Sequence, residues 1–272
     1  PDKGHSVMGY HHIKYEVADE IATITFNRPE ARNALSAEMR EDISNALENI
    51  KERAGEDVKA VIMTGAGGAF CAGGDVKGMA NRQMTPMDQR NRMRSGHNRI
   101  YDIVHLELPV ISLVDGAAAG AGCNLALLGD FVLATPRAFF TQAFAKIGLI
   151  PDWSGFFVLP RLVGMQVAKE LVFTGRRVQA EEAKELGLVH TIVSQENAME
   201  EARAFARRFC EASPAAIGMA KTILNESYNQ DFRTLLEMEA MGQSLVRETE
   251  FHREAVRRFK EKETPLFDWD RN

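Results

Sequence analysis

KAVIMTGAGGAFCAGGDV (59–76) and PVISLVDGAAAGAGCNLALLGD (109–130) are the two stretches from which the fold of this chain can be read. Each opens with a short apolar run rich in β-branched residues, the pattern of a strand covered on both faces. Each then runs into glycines, and the second continues into a helical stretch. Strand, glycine turn and helix, given in succession, predict an α/β chain with parallel pairing. Glycines after a buried strand let the backbone bend so that its N–H groups face a ligand. The first set also reads as an ordinary glycine-rich turn, and the second as close packing of a helix on a sheet. A dinucleotide fingerprint does not fit, because Phe70 stands where Gly65-x-Gly67 requires its third glycine, and no acidic partner follows at the expected distance. Ala121 lies where the second turn opens a helix. An N–H there is unpaired and partly positive, placed to hold an oxygen that gains negative charge.

Outward from these stretches, IKYEV and IATITF alternate within Ile13–Phe26 around Ala18-Asp19-Glu20 and predict a hairpin. Ser36 is placed to cap a helix in which Met39, Ile43, Leu47 and Ile50 recur at helical spacing. Phe131–Ala134 and Ala138–Phe140 read as further short strands. After about Pro160 the pattern becomes nearly continuous helix: Met165–Phe173, Ala180–Leu186, Met199–Glu211, Pro214–Leu224, Phe232–Val246 and Thr249–Lys262. Residues 10–200 are thus expected to form the core and 201–272 a helical C-terminal region. Met219, Leu235, Met238, Met241 and Leu245 form stripes that suit either an intrachain core or a subunit contact. Pro1–Gly9 has no period and reads as a cloning remnant ending around an initiator Met8.

With 272 residues, 45% of them apolar, the chain has enough material for one full core. Its net charge is −5, with both signs mixed along the length, which leaves no basic stripe for a phosphate backbone; no nucleic-acid partner is expected. Cys71, Cys123 and Cys210 are widely spaced and form no C-x-x-C pair, so a reducing cytoplasm is expected. No apolar run reaches the roughly 20 residues a bilayer requires, so no membrane association is expected. His97, His105, His190 and His252 form no ligand pattern, and no metal is expected.

NRPEARNALS (27–36), FCAGGDV (70–76), GAAAGAGCNLALLGD (116–130), IGLIPDWSG (147–155) and TGRRVQAEEAKELGLVHTIV (174–193) resemble, in order and spacing, the enoyl-CoA hydratase/isomerase (crotonase) family. The resemblance runs from about Tyr15 to Lys262. It implies a crotonase-like ββα superhelix with a helical C-terminal trimerisation region, assembling as a homotrimer or hexamer. Coenzyme A would enter as part of an acyl-CoA thioester substrate, with no separate cofactor. The family's two oxyanion amides map to Gly74 and Ala121. Its CoA contacts map to Arg32, Ala34, Ala72, Asp75 and Val76, and to Phe259 and Lys262 in an F-x-x-K pattern.

Departures from the family pattern bear on the reaction. Hydratases of the family carry two glutamates that hold and activate water, at positions occupied here by Asn124 and Phe144. Neither a carboxamide nor a phenyl ring takes a proton from water. Asp152, in IPDWSG, remains at a position where family isomerases and an aryl-CoA dehalogenase resemble this chain in placing an aspartate. Beside Trp153 and near Phe156, an apolar pocket would raise its pKa and make it a better base; the other reading is a turn aspartate that caps the next segment. Asn124 would then orient substrate or hold water. The resemblance implies an isomerase-type enolate reaction with Asp152 as base. The alternatives are hydration by atypical residues, Asp152 as a nucleophile on an aryl-CoA (weakened by Phe144, where the dehalogenase has tryptophan), or a non-catalytic CoA-ester binder.

Overall fold

The hairpin forms as expected. In the computed structural model, which describes residues 9–75 and 84–271, β1 (Ile13–Ala18) pairs antiparallel with β2 (Ile21–Phe26). The two linking residues, Asp19 (φ 52) and Glu20 (φ 62), are both left-handed, as a tight hairpin turn requires. The rest of the first sheet is parallel: β3 (Ala60–Gly65), β5 (Val110–Val114), β7 (Phe131–Ala134) and β10 (Thr191–Ile192) follow β2 in the order β1-β2-β3-β5-β7-β10.

A second sheet, β4-β6-β8-β9, is built from the strands in between: β4 (Ala69–Cys71), β6 (Ala117–Ala119), β8 (Phe139–Thr141) and β9 (Arg177–Gln179), the last of them antiparallel. The chain therefore alternates between sheets, β3 to β4, β5 to β6, β7 to β8. Gly65, Gly67, Gly68 and Gly116 form the first two crossings, and residues 73–74 and 120–122 follow β4 and β6.

Around the sheets lie α1 (Ala37–Arg53), α2 (Pro86–Ser95), α3 (His97–Val104), α4 (Ala121–Leu127), α5 (Gly155–Thr174), α6 (Ala180–Glu185), α7 (Ala198–Cys210), α8 (Pro214–Glu226), α9 (Phe232–Val246) and α10 (Glu250–Glu261). Ser36 caps α1, its Oγ accepting from the N–H of Met39 at 3.1 Å. The main core includes Phe26, Met39, Ile43, Leu47, Phe70 and Phe140. A second cluster, Ile21, Ile62, Ile111, Leu113 and Leu133, lies under Ala202, Ala206 and Cys210 of α7.

Three expectations need correction. A division at 200/201 cuts through α7, whose buried face belongs to the packing of the first sheet. The stretch after Pro160 is not all helix, because β9 and β10 lie within it. The intrachain-core reading of the apolar stripe holds only in part on α9, where Leu235 and Met238 are half-buried while Met241 and Leu245 are each 60% exposed. Among the described residues, no helix is long and apolar enough to cross a membrane.

Candidate active site

Asn33 is fully buried in a left-handed conformation (φ 57) and ties the loop before α1 to the first glycine turn. Its Nδ2 donates to the carbonyls of Ala66 (2.8 Å) and Ala69 (2.7 Å), and its Oδ1 accepts from the N–H of Arg28 (2.8 Å). Leu35 N–H donates to Gly73 O at 2.8 Å, and Ala72 N–H to Arg32 O at 2.9 Å. Arg28 Nη1 bridges Ala34 O (2.8 Å) and Asp75 Oδ2 (3.2 Å). Arg32, Ala34, Ala72 and Asp75 are thereby brought together; Val76 lies outside the described residues.

The two glycine turns meet. Gly73 has φ +99, and a Cβ there would stand 2.7 Å from Ala119 O and 3.6 Å from Ala121 N. A Cβ on Gly122 would stand 2.2 Å from Cys71 O, so only glycine permits that approach. Ala121 is the first residue of α4, where no carbonyl lies one turn back to accept its N–H. Neither that N–H nor that of Gly74 has a hydrogen-bond partner among the described residues.

An apolar wall lies beside this point, and the turn that carries Asp152 is tied to α4 through Asn124. Phe144 is buried, its ring 3.7 Å from where a Cβ on Gly120 would be. Asp152 begins a turn through Trp153 (φ 48) and Ser154 (φ 65), two left-handed residues in succession. The Asp152 carbonyl holds the turn, accepting from Gly155 N–H (3.0 Å) and Asn124 Nδ2 (2.7 Å). Its carboxylate is not spent in this way. Ser154, not Asp152, is the cap residue of α5, and Asp152 Oδ1 is buried without a hydrogen-bond partner. Burial pushes the Asp152 carboxyl above the ordinary aspartate value, against a smaller opposing pull from the charge of Arg40. Trp153 is buried beside it, whereas Phe156 is 59% exposed and forms no part of this pocket.

The sequence model of the family described as Enoyl-CoA hydratase/isomerase matches residues 16–270. The chain belongs to that family. It is 33% identical over 260 residues to a 1,2-epoxyphenylacetyl-CoA isomerase of Escherichia coli, covering 94% of this chain and 97% of the relative. A short-chain-enoyl-CoA hydratase of Clostridium acetobutylicum is likewise 33% identical, over 258 residues, with 94% and 97% covered. A crystal structure of an enoyl-CoA hydratase/isomerase from Cupriavidus metallidurans superposes with a TM-score of 0.90 at 35% identity, covering 96% of this chain and 97% of the other. The family acts on CoA thioesters, and both hydratases and isomerases occur among these relatives.

Within this member of the enoyl-CoA hydratase/isomerase family, Asn124 has a role that the sequence did not suggest. Both ends of its buried carboxamide are used inside the protein, Nδ2 on Asp152 O and Oδ1 accepting from Gln142 Nε2 at 2.7 Å. It therefore positions the Asp152 turn. Gln142, Asn33, Arg28 and Arg40 escaped sequence reading. Only an asparagine three residues before the α1 cap hinted at any of them.

Phe259, 85% exposed on α10, and Lys262, the left-handed residue that ends it, form no hydrogen bond or ion pair with the glycine turns. The thiols of Cys71 and Cys123 are buried, which pushes both up to about 12 and leaves them protonated and unreactive. Among the described residues, no group of His, Cys, Asp and Glu is placed to hold a metal ion.

Proposed function

We propose that this chain catalyses an isomerase-type reaction on an enoyl-CoA or related acyl-CoA. In this reading the N–H groups of Gly74 and Ala121 hold the thioester oxygen as it becomes an enolate. Asp152 takes a proton from the acyl chain, and the same carboxyl returns it at another carbon, so that a double bond moves or a strained ring opens with no net change in composition. Asp152 carries the proposal: one of its two carboxylate oxygens, Oδ1, is buried and unpartnered, while Asn124 and Phe144 supply no second carboxylate. A thioester α-proton is a poor acid, so enolate stabilisation by the two amides is needed alongside a base of raised pKa.

CoA would lie along Arg32, Ala34, Ala72 and Asp75, with Val76, Phe259 and Lys262 as further contacts carried over from the family resemblance and Trp153 lining the acyl end. Assembly into a homotrimer or hexamer is part of the same reading, supported by exposed Phe232, Met241 and Leu245 on α9. Three free, buried cysteines fit a cytoplasmic location.

Incubating the protein with a panel of enoyl-CoAs in D₂O tests the reaction. The expected result is a shifted double bond and deuterium in the carbon skeleton, with little or no water added to crotonyl-CoA. Brisk hydration of crotonyl-CoA would instead favour the second reading, hydration with Asp152 activating water, for which the hydratases among the relatives argue.

A further inference from the structure

Arg40 on α1 lies beside Asp152, and Arg92 on α2 and Arg99 on α3 lie beside Arg40, with α3 packed on both of the other helices. Burial lowers the pKa of Arg40 below the usual arginine value, and the like charge of Arg92 lowers it further. Burial and the charge of Arg40 do the same to Arg99. Arg99 Nε donates to Ser44 Oγ at 2.9 Å, while Arg40 Nε and Arg92 Nε are buried with no hydrogen-bond partner. None of the three forms an ion pair with a carboxylate among the described residues.

The acids that the cluster senses are mostly committed elsewhere. Asp75 holds Arg28 at 3.2 Å, and Asp102 holds Lys51 at 2.7 Å. Cys71 is a protonated thiol. Asp152 is left as the acid beside Arg40, which itself neighbours two further cations. Like charges held together out of water repel one another and are costly to desolvate, so an excess of this kind is stabilised by an anion supplied from outside. Guanidinium groups with unspent N–H donors match a carboxylate in particular, through paired charge-assisted hydrogen bonds.

We propose that Arg40 and Arg92 form an anion subsite at the acyl end of the active site, which selects CoA thioesters whose acyl group carries a second carboxylate. The inference rests on the reading of Asp152 as the residue that faces the acyl chain. It narrows the substrate class to monothioesters of dicarboxylic acids or of equally charged acyl groups. Arg40 acts there as a specificity residue and takes no part in the proton transfer.

Saturated thioesters test binding apart from chemistry, since they have no double bond to move. Calorimetric titration would compare succinyl-, adipyl- and suberyl-CoA with butyryl-, hexanoyl- and octanoyl-CoA, and with free CoA. For at least one chain length the carboxylate-ended ester should bind roughly tenfold tighter or better than its methyl-ended partner. Arg40→Gln should bring that ratio close to one and leave the methyl-ended ester and free CoA bound as before. Arg92→Gln should reduce the ratio in part, and it carries the test should the Arg40 variant fail to fold. Wild-type protein with no preference at any chain length, or a preference that survives both substitutions, would overturn the subsite. Equal weakening of free CoA by Arg40→Gln would also overturn it, by assigning the cluster to the phosphates of CoA. A dicarboxylate preference without any isomerisation would refute the proposed reaction and leave the subsite standing.

Discussion

Lys221 and Arg40 are both cations withdrawn from water, and the protein completes one and leaves the other open. Lys221, on α8, donates from Nζ to Asp130 Oδ2 at 2.7 Å and to Leu108 O at 2.9 Å, and the same carboxylate oxygen accepts from Val110 N–H at 2.7 Å. Helix, loop and strand are locked together, with each polar group matched. Beside Asp152, by contrast, Arg40 Nε and Asp152 Oδ1 are both buried without a partner. A polar group buried to hold a fold is paired, because leaving it bare costs stability; unpaired valences collected in one place are where a ligand is expected to supply what is missing.

This contrast can be broken from either side. Lys221→Met should strand Asp130 without its partner in a largely buried site and cost about 3–5 kcal/mol of stability, measured by denaturant titration. Asp152→Asn should cost no stability near neutral pH. The Asp152 pKa is raised in the fold, so the group's favourable contribution exists only at low pH, where it is protonated, and is lost as pH rises through the raised value. Replacing it with a neutral amide removes that loss. The variant should match or exceed wild type at pH 7, and any advantage should shrink toward the ordinary aspartate pKa. Equal destabilisation by both substitutions would erase the distinction.

A smaller effect in energy is expected where the two glycine turns touch. Gly122→Ala places a Cβ against Cys71 O, a backbone atom that cannot swing aside, and must push Ala121 away from Gly74. Turnover should fall by roughly 10²-fold, the usual cost of losing one oxyanion donor. A melting curve taken alongside separates this from unfolding, and a folded variant with undiminished turnover would show that the two amides do not act together.

The fold was legible wherever apolar residues carried a period. The alternation in Ile13–Phe26 and the helical spacing from Met39 to Ile50 state their structures openly. Helix α2 went unread because none of its residues is buried, and β9 and β10 because three and two residues cannot show alternation. At the site, the positions that the family pattern marks were legible, while the residues that hold them were not. Asn33 looks like any turn asparagine until its complete burial is seen. Arg40, set among Glu38, Glu41 and Asp42, reads as part of a solvated helix face. Asp42 deceives in the same way, being buried and accepting from the N–H groups of His11 and His12 at 2.9 and 2.7 Å. Charge predicts exposure on average, and these exceptions are fixed by contacts that no local pattern carries.

If Asp152 is the base, the two amides should bind the thioester without it. Deuterium exchange into a bound acyl-CoA in D₂O, compared between wild type and Asp152→Asn at matched saturation, tests this most directly. The variant should bind the thioester as wild type does, since Gly74 and Ala121 are untouched and Asn124 still holds the Asp152 backbone carbonyl. Exchange should drop by roughly 10²-fold or more, the range expected for losing a general base. Exchange at the wild-type rate in the folded, thioester-bound variant would contradict it and place the base elsewhere.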